Sequence, residues 1–252
     1  MHLIVTKNSN EIANLLSKVI IGLIKKKPNA ILGLATCSSL LATYQMLVAD
    51  YQVNQTNWSN ISTFNLDEYI GLAKNDSQSY YYFMEENLFK HLNIKKENIH
   101  IPNGLGDIIK NDVAYETLIN NSQPIDFQIL GLGNNGHIGF NEPGSDVTSI
   151  TRIVDLTPAT IAANQRFFNH PSEVPTQAIT MGIATILKAK NIVLIATDAK
   201  KAAAVRALVQ GKISAQTLQF LAKSPKSVLV LVDQTAASLL EQSKAKEKEK
   251  NA

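Results

Sequence analysis

Hydrophobic positions along this chain fall into two alternating kinds of segment. The first is a set of short apolar runs: AILGLA (30–35), ISTFNL (61–66), FQILGLG (127–133), AITMG (178–182), NIVLIAT (191–197) and SVLVLV (227–232). Several are apolar at consecutive positions, as expected of parallel strands covered on both faces. The second kind has helical period. Near the start, Ile12, Leu15, Leu16, Val19, Ile20 and Leu23 recur at spacings of three and four, with Asn8 or Ser9 placed to cap the helix. Further helical stretches are predicted near 39–49, 79–92, 111–121, 158–168, 199–210 and 234–246. Strand–helix alternation of this kind predicts an α/β fold: an open, mostly parallel, Rossmann-like sheet with helices on both faces. No internal repeat and no Gly/Ser/Pro-rich linker divides the chain, so a single domain is expected over 1–243. The closing residues 244–252, KAKEKEKNA, read as a charged tail without apolar anchors.

Composition narrows the function classes. The net charge of the 252 residues is only +3, and no basic stripe is interleaved with aromatics, so nucleic acid is not an expected partner. The apolar segment 12–24 is too short and too polar to span a bilayer, being interrupted by Asn14, Ser17 and Lys18, and no export signal precedes it. A membrane partner is therefore not expected either. The single cysteine, Cys37, excludes an internal disulfide and fits a reducing cytoplasm.

Ligands of open α/β sheets collect beyond the carboxyl ends of the strands. Three polar stretches follow apolar runs directly: TCSS (36–39), NLDEY (65–69) and GLGNNGHIGFNEPG (131–144). The last opens with G-x-G-x-x-G, yet a dinucleotide fingerprint needs a helix to begin at the third glycine, and Gly139, Pro143 and Gly144 discourage one. What the stretch does carry is Asn135, His137 and Glu142 within eight residues. A histidine held by a carboxylate is a competent general acid and base near neutral pH; the alternative is a glycine loop whose histidine bonds locally. Asp67 and Glu68 are adjacent on an extended segment, so at most one faces a given site, and the other reading is a strand end or helix cap. TCSS has the form of a helix N-terminus with small hydroxyl residues, which serves either as a phosphate cradle or as plain capping.

Taken together, these stretches resemble the glucosamine-6-phosphate deaminase (glucosamine-6-phosphate isomerase) family. The resemblance runs through LGLATCSSLLATY (32–44), FNLDEYIGL (64–72), SYYYFMEENLF (79–89), GLGNNGHIGFNEPGS (131–145), TRIVDLT (151–157), NQRFF (164–168), AITMGIATIL (178–187) and KAAAVRALVQG (201–211), nearly the whole chain. The related 6-phosphogluconolactonases share the fold but lack FNEP. The resemblance implies a reaction without metal or cofactor, in which glucosamine 6-phosphate and water give fructose 6-phosphate and ammonia. By the same resemblance Asp67 matches the base at C2, and His137 the ring-opening residue oriented by Glu142. Asn135 stands where many members have aspartate. Ser38 and Ser39 fall in the phosphate loop, and Arg166 and Lys201 match the phosphate-binding cations. The expected partner is a small sugar phosphate, and the resemblance leaves room for a homo-oligomer. Two other functions on this fold stay in view: a 6-phosphogluconolactonase-type hydrolase and a non-catalytic sugar-phosphate sensor.

The departures from the family pattern carry expectations of their own. The phosphate loop reads ATCSSL, with Cys37 in place of a glycine; if that position has positive φ, cysteine strains the loop. Cys37 at a helix N-terminus is expected either to have a depressed, reactive thiol or to be inert packing. Asp198 replaces a usual glycine near Lys201 and brings a negative charge beside the expected phosphate. LQFLA (218–222) stands where members commonly have L-Q-x-H. Of the family's effector-binding serine, arginine and lysine, this chain keeps Ser145 and Arg152 but has Val154 at the third position, which implies loss of allosteric activation.

Overall fold

The computed structural model describes residues 1–168, 170–210, 221 and 227–240. The chain opens with β1 (His2–Thr6), α1 (Ser9–Lys26), β2 (Ile31–Leu34), α2 (Leu41–Asn54), β3 (Ser62–Asn65) and β4 (Asp67–Tyr69). It continues through α3 (Tyr80–Asn87), β5 (Ile99–His100), α4 (Ile108–Asn121), β6 (Phe127–Gly131), β7 (Arg152–Asp155) and α5 (Pro158–Asn164). The last elements are β8 (Gln177–Thr180), α6 (Ile183–Leu187), β9 (Asn191–Ala196), α7 (Ala202–Gln210) and β10 (Ser227–Asp233), with 234–240 helical after them.

Seven strands form one parallel sheet in the order β1-β10-β9-β6-β2-β3-β5, with helices around it in a single domain. Every residue of β2 is buried, as are all but the first of β9, which is why these strands read as unbroken apolar runs. α1 presents Ile12, Leu16, Ile20 and Ile24 to the core, and Asn8 caps it by accepting the Glu11 N–H at 3.0 Å. At the other end of the strands, the Asp126 carboxylate gathers the Ile31 N–H and the Lys27 and Lys190 ammonium groups, tying together the starts of β2, β6 and β9. Among the described residues no helix is long and apolar enough to cross a membrane.

The structure departs from the expected architecture in one consequential respect. AITMG was expected in the parallel sheet; instead β8 sits at the centre of a separate three-stranded antiparallel sheet, β4-β8-β7. The chain changes sheets at Leu66, whose N–H donates to Leu34 in the main sheet while its carbonyl accepts from Met181 after β8. β1, β5 and β7 were not expected as strands. β1 is an exposed edge, β5 is two residues long, and β7 is half-exposed without alternation, so none carries a strong periodic signal. The expected tail 244–252 and most of LQFLA lie outside the described residues, as does the end of the helix expected over 234–246.

Candidate active site

From β2 the chain order runs one way through β3 and β5 and the other way through β6, β9 and β10, so the β2/β6 boundary is the topological switch point. All three polar stretches leave the sheet around it. Buried tyrosines close the strand ends beneath the site: Tyr44 donates to the Ala35 carbonyl at 2.6 Å, and Tyr115 to that of Asn65 at 2.7 Å.

After β6 the glycine stretch makes a tight turn, with the Gly136 N–H on Gly133 and the Gly133 N–H on His137. No helix begins at Gly136, and the next one in the chain is α5, so the dinucleotide reading fails on geometry. The turn instead seats the His137 ring flat on Gly133, where an added Cβ would lie 2.4 Å from ring atoms. Asn135 accepts from both the His137 backbone N–H (3.1 Å) and Nδ1 (2.8 Å), while its Nδ2 donates to Glu142 Oε2 at 2.6 Å. A carboxylate only accepts, so Glu142 fixes the amide's orientation; an amide oxygen only accepts, so Nδ1 carries the proton. Nε2 is then left with a lone pair for proton transfer. Glu142 was expected to orient the histidine directly, but its oxygen lies 3.9 Å from Nδ1 and acts through the Asn135 amide. Thr160 and Thr157 hold its other oxygen, at 2.8 and 3.3 Å. Burial lowers the His137 pKa, Glu142 pulls it back up, and the Lys201 ammonium lowers it again.

The adjacent carboxylates separate as extended geometry requires. Glu68 accepts the backbone N–H groups of Tyr69, Tyr80 and Tyr81 at 2.8–2.9 Å and so caps the start of α3. Asp67 turns the other way. It is only 5% exposed, and no hydrogen bond from the described residues engages its carboxylate. Burial, reinforced by the Glu68 charge, raises its pKa to about 8. A buried carboxylate with free lone pairs and a pKa near neutrality is suited to removing a proton from carbon.

Cys37 has φ −153° and ψ 153°, extended backbone that any residue adopts, so it does not strain the phosphate loop. The expectation of a depressed thiol is overturned: burial pushes its pKa up, outweighing the nearby Lys201 and the Leu40 and Ser39 N–H groups. Its Sγ packs 3.0 Å from where a Gly131 Cβ would stand. Ser38 is exposed at the start of the short 3₁₀ turn before α2, and Ser39 bonds Thr197 at 3.0 Å, joining the ends of β2 and β9. Lys201 follows β9, and its charge reaches both Cys37 and His137, which places it at this site. Asp198 adopts φ +87°, a conformation that favours the glycine it replaces, and its side chain accepts the Lys200 N–H at 2.9 Å. Arg166 is exposed in the 3₁₀ turn Gln165–Phe167 after α5.

Sequence reading missed several residues that hold the site together. Asn141 is buried in the 137–142 loop, donating to the Ile138 and Met181 carbonyls and accepting from Arg152 Nη1 at 2.9 Å. Arg152, matched to an effector residue by resemblance, is thus engaged with the loop. Gly139 faces Asp67 and Thr180. The FNEP motif contained Asn141, but nothing local marks it as the residue that anchors the loop to a second sheet.

The neutral amide at Asn135 has a testable electrostatic consequence. Asn135→Asp places a charge within hydrogen-bond distance of the imidazole and should raise the His137 pKa. The introduced carboxylate also faces Glu142 across the present 2.6 Å contact, so the two acids titrate as a coupled pair. Imidazole titration by NMR should show the upward shift, and the histidine limb of any pH–rate profile should follow it. An unchanged titration would show that Asn135 does not set the charge at His137.

A parallel sheet with a buried carboxylate and an amide-linked histidine at its switch point defines a protein built for acid–base chemistry on a small ligand. Residues 6–236 match the family described as glucosamine-6-phosphate isomerases/6-phosphogluconolactonase, and the chain belongs to that family. It is 46% identical over 245 residues to a glucosamine-6-phosphate deaminase of Mycoplasma mycoides subsp. mycoides SC, covering 97% of this chain and 100% of that one. A glucosamine-6-phosphate deaminase of Hahella chejuensis is 48% identical over 241 residues, covering 96% and 92%. Among solved structures, a monomeric glucosamine-6-phosphate deaminase superposes with a TM-score of 0.92 at 40% identity, covering 95% of this chain and all of that one. The 6-phosphogluconolactonase from Trypanosoma brucei, at 19% identity, TM-score 0.78 and coverage of 95% and 98%, shares the fold.

Proposed function

We propose that this chain is a glucosamine-6-phosphate deaminase, converting glucosamine 6-phosphate and water to fructose 6-phosphate and ammonia in amino-sugar breakdown. The observation that carries the reading is the pairing of a buried, unengaged Asp67 with the His137–Asn135–Glu142 chain on one loop. His137 Nε2 takes the proton of the ring hydroxyl and returns one to the ring oxygen, opening the sugar. Asp67 removes the C2 proton, which is delivered to C1 while a proton passes from the C2 ammonium to O1, leaving a C1 hydroxyl and a protonated imine at C2. Water adds to that imine, and ammonia leaves as the ketone forms. Ser38, Ser39, Arg166 and Lys201 hold the phosphate, with a bidentate guanidinium and a point-charge ammonium matched to a dianion. The partly buried Cys37 packs beside that loop. We place the enzyme in the cytoplasm on its single cysteine.

The test is ammonia release from glucosamine 6-phosphate by the purified chain. Ammonia and fructose 6-phosphate should appear in equal amounts. Hydrolysis of 6-phosphogluconolactone without ammonia would assign the lactonase chemistry instead. Binding of the sugar phosphate with no turnover of either would leave a sensor.

A further inference from the structure

The antiparallel sheet has a regularity that no catalytic role accounts for. In its register Asp67 on β4 stands opposite Thr180 on β8, and Thr180 stands opposite Arg152 on β7. Directly opposed residues of an antiparallel sheet project from the same face, so these three side chains form one row. The loop after β6 lies along that row in sequence order. Gly139 packs against Asp67 and Thr180, so closely that an added Cβ would lie 2.9 Å from Asp67 Oδ2 and 3.0 Å from Thr180 Oγ1. The Phe140 N–H donates to Thr180 Oγ1 at 3.2 Å, and Asn141 Oδ1 accepts from Arg152 Nη1 at 2.9 Å. Gly139 thus packs against the row, and Phe140 and Asn141 are hydrogen-bonded to its next two members.

We propose that Thr180 is a positioning residue, which with Arg152 behind Asn141 holds the Gly139–Asn141 backbone over the Asp67 carboxylate and keeps water from it. This rests on the deaminase reading for its kinetic consequence, but not for its physical one. Thr180 is fully buried, and its hydroxyl accepts the Phe140 N–H at 3.2 Å, as a buried polar group should. Seating the loop excludes solvent from Asp67, and desolvation is what raises that carboxyl to about 8. Among the described residues, Glu68 beside it raises the Asp67 pKa further, and the groups that feel its charge are also acids: Tyr69 beside it, Cys37 after β2, Tyr80 on α3 and Tyr115 on α4. Loosening the loop lets water in and moves the Asp67 pKa down, towards the ordinary carboxylate range.

Thr180→Val keeps the shape and removes the hydroxyl. Its kcat on the alkaline plateau should fall roughly ten- to a hundredfold, the scale of a misplaced catalytic group, with KM changed little. The acid limb of the pH–kcat profile should move down by about a unit or more, and Thr180→Ser should restore both. The same shift should be visible without substrate, as the pH titration of the Asp67 carboxyl carbon by NMR. If Thr180→Val does not fold, Arg152→Gln reads the same limb and the same titration from the other end of the row. A wild-type chain that releases no ammonia would remove the deaminase reading and leave the carboxyl titration as the test. An active wild type whose valine or glutamine variant keeps its limb and its Asp67 titration would overturn the positioning role alone.

Discussion

Replacing Asp67 by asparagine should cut turnover sharply and, at alkaline pH, make the protein more stable. An amide has the shape of the carboxylate but no comparable basicity, so kcat should fall by about 10²–10⁴-fold, the range for loss of a general base. Exchange of the C2 proton with deuterated solvent should fall with it. The stability gain follows from the direction of the pKa shift. In the folded protein Asp67 is raised to about 8 from 3.8, so between those values the native state keeps a proton that the unfolded chain has lost. Stability therefore falls as pH rises through this window, and the loss is complete only above the folded pKa. Asp67→Asn removes that slope. Urea unfolding at pH 5.5 and 9 should show the variant gaining on wild type as pH rises, by the order of a few kcal/mol at pH 9. A difference independent of pH would mean that Asp67 is not desolvated as the structure places it. Retained exchange would move the base elsewhere, although Glu68 is already committed to three N–H groups.

The parts of this fold legible in the sequence are those in which one residue type repeats at one spacing. Buried parallel strands such as β9 and β10 announce themselves as apolar runs, and α1 as a stripe closed by a polar cap. The site was legible to the extent that its residues lie close together in the chain: Asp67 at a strand end, and Asn135, His137 and Glu142 in one glycine loop. What was not legible depends on distant pairing. Nothing near AITMG says that it leaves the main sheet, because the decision lies at Leu66, whose two backbone groups serve different sheets. Thr180 and Arg152 matter through their register with Asp67 across two strand pairs, which no local pattern encodes. Of the two readings of Cys37, the depressed thiol fails for a related reason. The helix-terminus argument uses only chain neighbours, whereas its pKa is set first by burial among groups brought together by the fold.

Gly133→Ala should disable the histidine while leaving the backbone unstrained. The argument separates two uses of glycine within one loop. Gly136 has φ +95° with open space where a Cβ would be, so an alanine there strains the chain without touching the ring. Gly133 is not among the positive-φ residues, yet a Cβ on it would lie 2.4–2.5 Å from Cε1, Nε2 and Cδ2 of His137. The ring must move, and its 2.8 Å bond from Nδ1 to Asn135 limits where it goes. A displacement of about 1 Å at Nε2 is enough to cost roughly 10²-fold in kcat. Gly133→Ala should therefore lose about that much activity with a melting temperature close to wild type and altered His137 ring resonances. Gly136→Ala should show the opposite pattern: roughly 1 kcal/mol lost in stability, since alanine is disfavoured at positive φ, and a far smaller loss of kcat. Equal activity losses in the two variants would mean that general disruption of the loop, and not the seat of the ring, is what Gly133 protects. Full activity in Gly133→Ala would mean that the imidazole does not rest on this glycine in the working enzyme, and His137 would lose its place in the ring-opening step.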